Sequence, residues 1–387
     1  MPLTIEKCVA YRCEARARRT LAYSTGVVEK PVMEIFVVEV ISGGISGFGE
    51  FWPTSANYAP GLAGRSALDE WQELVATCAH LIGKDALQLR RLIPAGYDEL
   101  EDANGLVDAL DFALHDLVGR ACSLPVWALL GGLRRREVPV MPVIHTDDDD
   151  AMVRRAMEWQ ERWGIRYFKL KPHAEFDADV RLLRTFSQRL RPGTRFLLDA
   201  NFAYRSVEEA VKTLAEVGRY GVFLAEDPIE TDYATLRERV RPVLNRAGVK
   251  LMLDCQARTT RNVFDIAAAA CADAINFHAN WHSGFASTLG RAAIVQAAGM
   301  ENFIGSSIYM GIADAANIVL ASVCPALICC EQVRGTDFYI SESDSVVDDF
   351  FPLREGLYRI SDAPGLGVEV NRARLERLTV LREEVSG

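Results

Sequence analysis

Residues 195–227 read RFLLDANFAYRSVEEAVKTLAEVGRYGVFLAED. An apolar run ends in Asp199, an amphipathic charged stretch follows, and a second apolar run ends in Glu226. That order fits a buried strand, a helix and another buried strand. Working outward, similar runs recur as VPVMPVIH at 138–145, RYFKLK at 166–171, VKLMLD at 249–254, DAINFH at 273–278, MENFIGSS at 300–307 and PALICCE at 325–331. Their last polar residues are His145, Lys171, Asp199, Glu226, Asp254, His278, Ser306 and Glu331, spaced 24 to 28 residues apart. Strands alternating with helices imply parallel pairing through right-handed crossovers. Eight such units, each apolar throughout, predict an α/β barrel.

Flanking this repeat, the pattern changes. IEKCVAYRCEA and VMEIFVVEVISGGISGFGEFWP read as antiparallel strands with glycine turns, and residues 66–92 and 103–121 read as helices. Beyond 345 no further unit appears, and LYRISDAPGLGVEVNRARLERL places a Pro-Gly-Leu-Gly turn between two short strands. The expected division is an α+β domain over 1–125, a barrel over 126–345, and a tail over 346–387 that packs back onto the first domain.

The chain has 387 residues, 49% hydrophobic and 25% charged, which excludes disordered and collagen-like classes. Its net charge of −10 argues against a nucleic-acid partner. Nine cysteines, with Cys329 and Cys330 adjacent, argue against a secreted disulfide framework. No apolar stretch is long enough to cross a membrane, because MGIADAANIVLASVCPALICC is broken by Asp314, Asn317 and Pro325. The expectation is a reduced, cytoplasmic, soluble protein.

In parallel barrels the chemistry lies at the carboxyl ends of the strands. Asp199, Glu226 and Asp254 end three consecutive runs. An acid at such a place also serves to cap the following helix. Three in register, with no His-x-His pair nearby, suit Mg²⁺ better than Zn²⁺. Lys169 and Lys171 lie two positions apart and share a strand face. Two ammonium groups close to a cation lower each other's affinity for protons, which fits a general base. Together these groups suit abstraction of the α-proton from a small carboxylic acid, with the metal holding the enediolate. Three carboxylates, Mg²⁺ and two lysinium groups sum to +1, so an anionic substrate is welcome.

GFGE at 47–50, ALDFALHDLVGRACSLPVWALLGG at 109–132, KLK at 169–171, LLDAN at 197–201, AEDP at 225–228 and PGLG at 364–367 resemble, in order and spacing, the enolase superfamily, in its mandelate racemase and muconate lactonizing branch. The resemblance covers essentially the whole chain. It implies a modified (β/α)₇β barrel under an α+β capping domain made from both termini, and a homo-oligomer. It further implies Mg²⁺ on Asp199, Glu226 and Asp254, with Lys171 as base and Lys169 tuning it. Loops of the cap would offer Tyr23, Trp52 and Tyr58 to the substrate, and Asn201 and Trp281 stand near the mouth.

Two departures bear on mechanism. Where the lysine-type branch has Asp-Glu after the fifth strand and a lysine after the sixth, this chain has Asp254-Cys255 and His278. FIGSSIYMG also lacks the histidine that mandelate-racemase-like members carry after the seventh strand. A racemase needs an acid on the second face, which only His278 or His282 could supply. Elimination from one face needs none, so the sequence favours a dehydratase, with racemase, epimerase or cycloisomerase chemistry through His278 as the alternative. A metal- and ligand-binding barrel without turnover is a further alternative. A metal hydrolase is disfavoured because the first strand offers only His145, and a nicotinamide or flavin enzyme because no G-x-G-x-x-G follows a first βαβ strand.

Overall fold

The computed structural model describes residues 2–17, 21–23, 26–28, 32–53, 66–93, 105–278, 284–331, 340 and 342–387. Strands β1 (Lys7–Arg16), β2 (Leu21–Tyr23), β3 (Gly26–Val28), β4 (Val32–Ser42) and β5 (Ile45–Phe51) come first. Helices α1 (Ala67–Leu81), α2 (Leu89–Leu92) and α3 (Leu106–Cys122) follow. Gly43 and Gly44, both at positive φ, form the two-residue turn that sets β4 against β5 in register. A Cβ at Gly47 or Gly49 would collide with the Ala113 or Ala109 carbonyl, so β5 and α3 pack backbone to backbone. Helix α1 opens with a capping box between Ser66 and Asp69. The single helix expected over 66–92 does not form: α1 stops at Leu81, and Gly83 at φ 76° turns the chain toward α2.

Next come α4 (Val126–Leu129), β6 (Glu137–Pro139), β7 (Val143–Ile144), α5 (Asp149–Trp163), β8 (Tyr167–Leu170), α6 (Phe176–Arg189), β9 (Arg195–Asp199), α7 (Val207–Val217) and β10 (Val222–Glu226). The barrel continues through α8 (Tyr233–Thr235), α9 (Arg241–Arg246), β11 (Lys250–Leu253), α10 (Thr260–Ala269), β12 (Ala274–Phe277), α11 (Gly284–Ala297), β13 (Glu301–Ile304), α12 (Ile312–Val323) and β14 (Leu327–Cys330). Strands β7 to β14 form one parallel sheet in sequence order. A parallel bridge from Val140 to Cys330, with the Met141 amide donating to the Cys330 carbonyl at 2.9 Å, joins its two edges. The fold is a modified (β/α)₇β barrel with a capping unit of strands and helices.

The first apolar run departs from expectation. Pro139 and Pro142 remove ladder donors, so it splits into β6 and β7. Strand β6 pairs instead with β16 (Leu357–Arg359), which pairs with β15 (Leu353–Arg354). The tail's expected second strand reduces to a bridge at Val370, and the chain proceeds to α13 (Arg372–Leu378) and β17 (Thr379–Ser386). Strand β17 pairs antiparallel with β1, Lys7 opposite Ser386, giving a cap sheet ordered β17-β1-β4-β5.

Two layers fill the barrel. Met141, Leu197, Leu224, Met252, Ala274, Phe303 and Cys329 form an apolar plug. Side chains on one strand face recur every second residue, so the same inward face next presents Val143, Asp199, Glu226, Asp254, Asn276, Gly305 and Glu331. Buried carboxylates fasten the cap to barrel helices. Asp108 and Asp111 of α3 accept from the Gly284 and Phe285 amides at the start of α11. Glu50 of β5 accepts from the Met310, Ile312 and Ala313 amides around the start of α12. Burial and the nearby Asp314 push the Glu50 carboxyl up to about 8, against the pull of those three donors. Among the described residues, no helix is long and apolar enough to cross a membrane.

Candidate active site

The carboxyl-end layer opens into a pocket lined by residues of several strand ends and by Trp52 from the cap. Lys169 and Lys171 enter it side by side from β8. The Lys169 ammonium lies 2.9 Å from Asp199 Oδ2, 2.9 Å from Glu226 Oε2 and 3.1 Å from Glu331 Oε2. Lys171 Nζ donates to Asp199 Oδ2 at 2.5 Å and to Asn201 Oδ1 at 2.6 Å. Asn201 reaches this place because the chain turns sharply after β9. Asn201 and Phe202 both have left-handed φ (44° and 63°), and the Asn201 amide donates to Asp199 Oδ1. A short amide side chain tolerates that conformation.

The electrostatics differ from the sequence expectation for Lys169. Burial alone would lower it, but Asp199, Glu226, Glu331 and Asp254 outweigh burial and raise it well above the ordinary lysine range. Proximity of a second ammonium is the weaker influence here. Reciprocally, burial would raise the Asp199 carboxyl, and the two lysines hold it below the usual range. Burial and Asp199 together keep Glu226 well above that range.

A second group forms on β10, β11 and β12. Ligand atoms of Glu226, Asp254 and His278, all buried, lie within 4.8 Å of one another. Asn276 Nδ2 donates to Glu226 Oε1 at 2.8 Å and stands 3.1 Å from His278 Nε2. His278 Nε2 is 3.1 Å from Asp254 Oδ2, while Nδ1 lies 3.0 Å from the Ser306 carbonyl. Burial pushes the imidazolium down, but Asp254 prevails and raises it. Asp227, at φ 40°, fixes the turn after β11 by accepting from the Asp254 and Cys255 amides. The helix-capping alternative for the three acids fails: the side-chain caps after β9, β10 and β11 are Ser206, Asp232 and Thr259. Of the three expected carboxylates, Asp199 meets both lysines, Glu226 meets Lys169 and Asn276, and Asp254 meets His278.

The remaining expected residues fall unevenly. Trp52 is buried in the pocket wall beside Val143 and Ile308. Tyr23 ends β2, with its side chain outside what is described, and Tyr58, Trp281 and His282 lie outside the described residues. His145 lines the pocket, whereas His173 pairs with Asp149 and His115 with Asp111. Sequence reasoning missed Glu331, Asp227, Asn276 and Ser306. Glu331 was visible as the end of the eighth run. It accepts from Ser306 Oγ at 3.0 Å and contacts Lys169, which places it inside the site.

Comparison with known proteins gives two family matches. Residues 7–131 match the mandelate racemase / muconate lactonizing enzyme N-terminal domain, and residues 151–374 match the enolase C-terminal domain-like family. The N-succinyl-L-Arg/Lys racemase of Bacillus cereus is 23% identical, covering 85% of this chain and 88% of the relative. A probable glucarate dehydratase of Streptomyces coelicolor is 27% identical, covering 91% and 86%. Among solved structures, a dipeptide epimerase from Cytophaga hutchinsonii, complexed with Mg and the dipeptide D-Ala-L-Val, superposes with a TM-score of 0.84 at 19% identity, covering 99% of this chain and 100% of that one.

Proposed function

Because the chain belongs to the mandelate racemase / muconate lactonizing enzyme branch of the enolase superfamily, we propose that it removes the α-proton of a small carboxylic acid through Lys171 and eliminates a β-substituent, as a dehydratase. Asp199, Glu226 and Asp254 would hold Mg²⁺. Their buried oxygens, on strand ends that cap no helix, fit a hard divalent cation. When bound, the cation offsets the negative charge that builds on the substrate carboxylate.

The chain's own groups divide the work. Lys171 Nζ takes the proton from the α-carbon. The same ammonium then returns that proton to the departing hydroxide, so water leaves and a C=C bond forms between the α- and β-carbons. Lys169, held by its carboxylates, keeps a fixed positive charge beside the reacting group. Asn201 orients Lys171, and Trp52, Val143 and Ile308 give the pocket an apolar wall.

The observation that carries elimination over inversion is the setting of His278. Its two ring nitrogens face the Ser306 carbonyl and Asp254 rather than standing ready as a second base. Racemisation or epimerisation is the second reading, favoured by the racemase among the relatives. Proton NMR in D₂O, over α-hydroxy, α-amino and cyclic imino acids with Mg²⁺, decides between them. We expect a substrate that loses its β-substituent, with any exchanged α-deuterium retained in configuration, and no reaction for Lys171→Ala. Deuterium incorporated with inversion would replace elimination by the two-base reaction.

A further inference from the structure

Asp199, Glu226 and Asp254 come from three neighbouring strand ends, and the residue after the middle one is bonded to the turns on either side. Asp227 is fully buried at φ 40°, in the left-handed region that a side chain enters where its surroundings over-determine it. Its carbonyl accepts at 2.7 Å from the amide of Phe202, in the left-handed turn after β9. Its amide donates at 3.2 Å to the Met252 carbonyl on β11. Its carboxylate then crosses to the end of that strand, where Oδ1 accepts from the Asp254 amide at 3.1 Å and Oδ2 from the Cys255 amide at 2.9 Å.

We propose that Asp227 is a positioning residue that sets the affinity for the divalent cation without binding it. The inference rests on the metal-dependent reading given above and keeps its three ligands. Because the main chain at 254 and 255 is tied to a buried carboxylate, the Asp254 side chain departs from a fixed backbone. Like charges on the three acids repel one another, and a loose turn would let Asp254 swing away from the other two. A ligand already held in place gives up less freedom when the cation arrives. The Asp227 carbonyl does the same for the base, since it holds the turn that brings Asn201 to Lys171.

Ligand atoms of Asp227, Asp254 and Cys255 also lie within 4.8 Å of one another. Both Asp227 oxygens, however, already face main-chain amides, so the carboxylate acts on the turn and reaches the cation only through Asp254. Asparagine is the discriminating substitution. It keeps the shape but replaces one accepting oxygen by an NH₂ group that can only donate.

The test is calorimetry of Mg²⁺ binding to the unmutated protein, Asp227→Asn and Leu224→Ala, with thermal unfolding of each metal-free protein. We expect Asp227→Asn to bind Mg²⁺ roughly 10–100-fold more weakly. Leu224→Ala, which loosens the apolar plug, should keep the unmutated affinity despite its lower unfolding temperature. Affinity that simply follows unfolding temperature in both variants would reduce Asp227 to a structural role and overturn the proposal. Unmutated affinity in Asp227→Asn would overturn it too, leaving the metal reading standing. A second ion per chain, lost in Asp227→Asn, would make Asp227 a ligand instead. No Mg²⁺ bound to the unmutated protein would overturn both readings. If Asp227→Asn does not fold, hydrogen exchange of the unmutated, metal-free protein decides. The Asp254 and Cys255 amides should already exchange slowly, and fast exchange that slows only with Mg²⁺ would show that the cation, not Asp227, orders the turn.

Discussion

Two layers of one barrel, a single alternation apart, have opposite chemistry. Leu197, Leu224 and Met252 fill the lower layer, while Asp199, Glu226 and Asp254 follow two residues later on the same strands and the same face. The lower layer excludes water and holds the strands at fixed spacing. The upper layer concentrates like charges that Lys169 and Lys171 compensate. The plug therefore supplies the stability against which the charged mouth can be assembled, and substitutions should separate the two roles.

The largest separation is expected at Lys171. Lys171→Ala should lower turnover by roughly 10³-fold or more while divalent-metal binding, read by calorimetry, survives. Asp254→Ala should lose both. An active Lys171→Ala enzyme would end the one-base mechanism. The opposite break comes from the plug, where Leu224→Ala should cost about 2–5 kcal/mol of unfolding free energy in denaturant titrations. Activity of the molecules still folded should be nearly unchanged, and a specific loss of turnover would show that the layers are not separable.

A milder break targets the gap that admits His278. Gly305→Ala, which places a Cβ against the ring, should displace the imidazole from its place beside Asp254 and cost about 1–3 kcal/mol of unfolding free energy. Unchanged stability in denaturant titrations would contradict this crowding.

The last effect, read as a slope against pH, should come from Glu50, buried outside the mouth and held, among the described residues, by three backbone donors. Its folded carboxyl sits at about 8, above the unfolded value, so the native state keeps a proton that the unfolded chain releases. Its stabilising contribution is full at acid pH and lost as pH rises toward 8, at up to about 1.4 kcal/mol per pH unit. Thermal unfolding from pH 5 to 8 should fall less steeply for Glu50→Gln. Parallel slopes would assign the pH dependence to other groups.

The barrel was legible because each of its strands is apolar on both faces and ends in a polar residue at a fixed phase. Strand β17 was not, since TVLREEVS is mostly exposed and shows no alternation. The ends of the helix expected over 66–92 were clear, but its interruption depends on the backbone freedom of one glycine, Gly83. In the site, residue types and strand ends pointed to the lysines, the acids and His278. Their partners were hidden, because the Asp227 carboxylate and the Ser306 carbonyl act through main-chain groups that carry no side-chain signature. The division of Asp199 from Asp254 is likewise a matter of side-chain direction, which spacing does not encode.

The pairing of β1 with β17 also has a consequence in time. Ribosomes add about 5–20 residues per second, so the edge of β1 waits roughly 20 to 70 seconds for the partner that covers it. Through that interval a long, partly apolar strand edge stands open to any neighbouring chain. Nascent copies on a crowded polysome would meet this hazard before the barrel's chemistry is ever used.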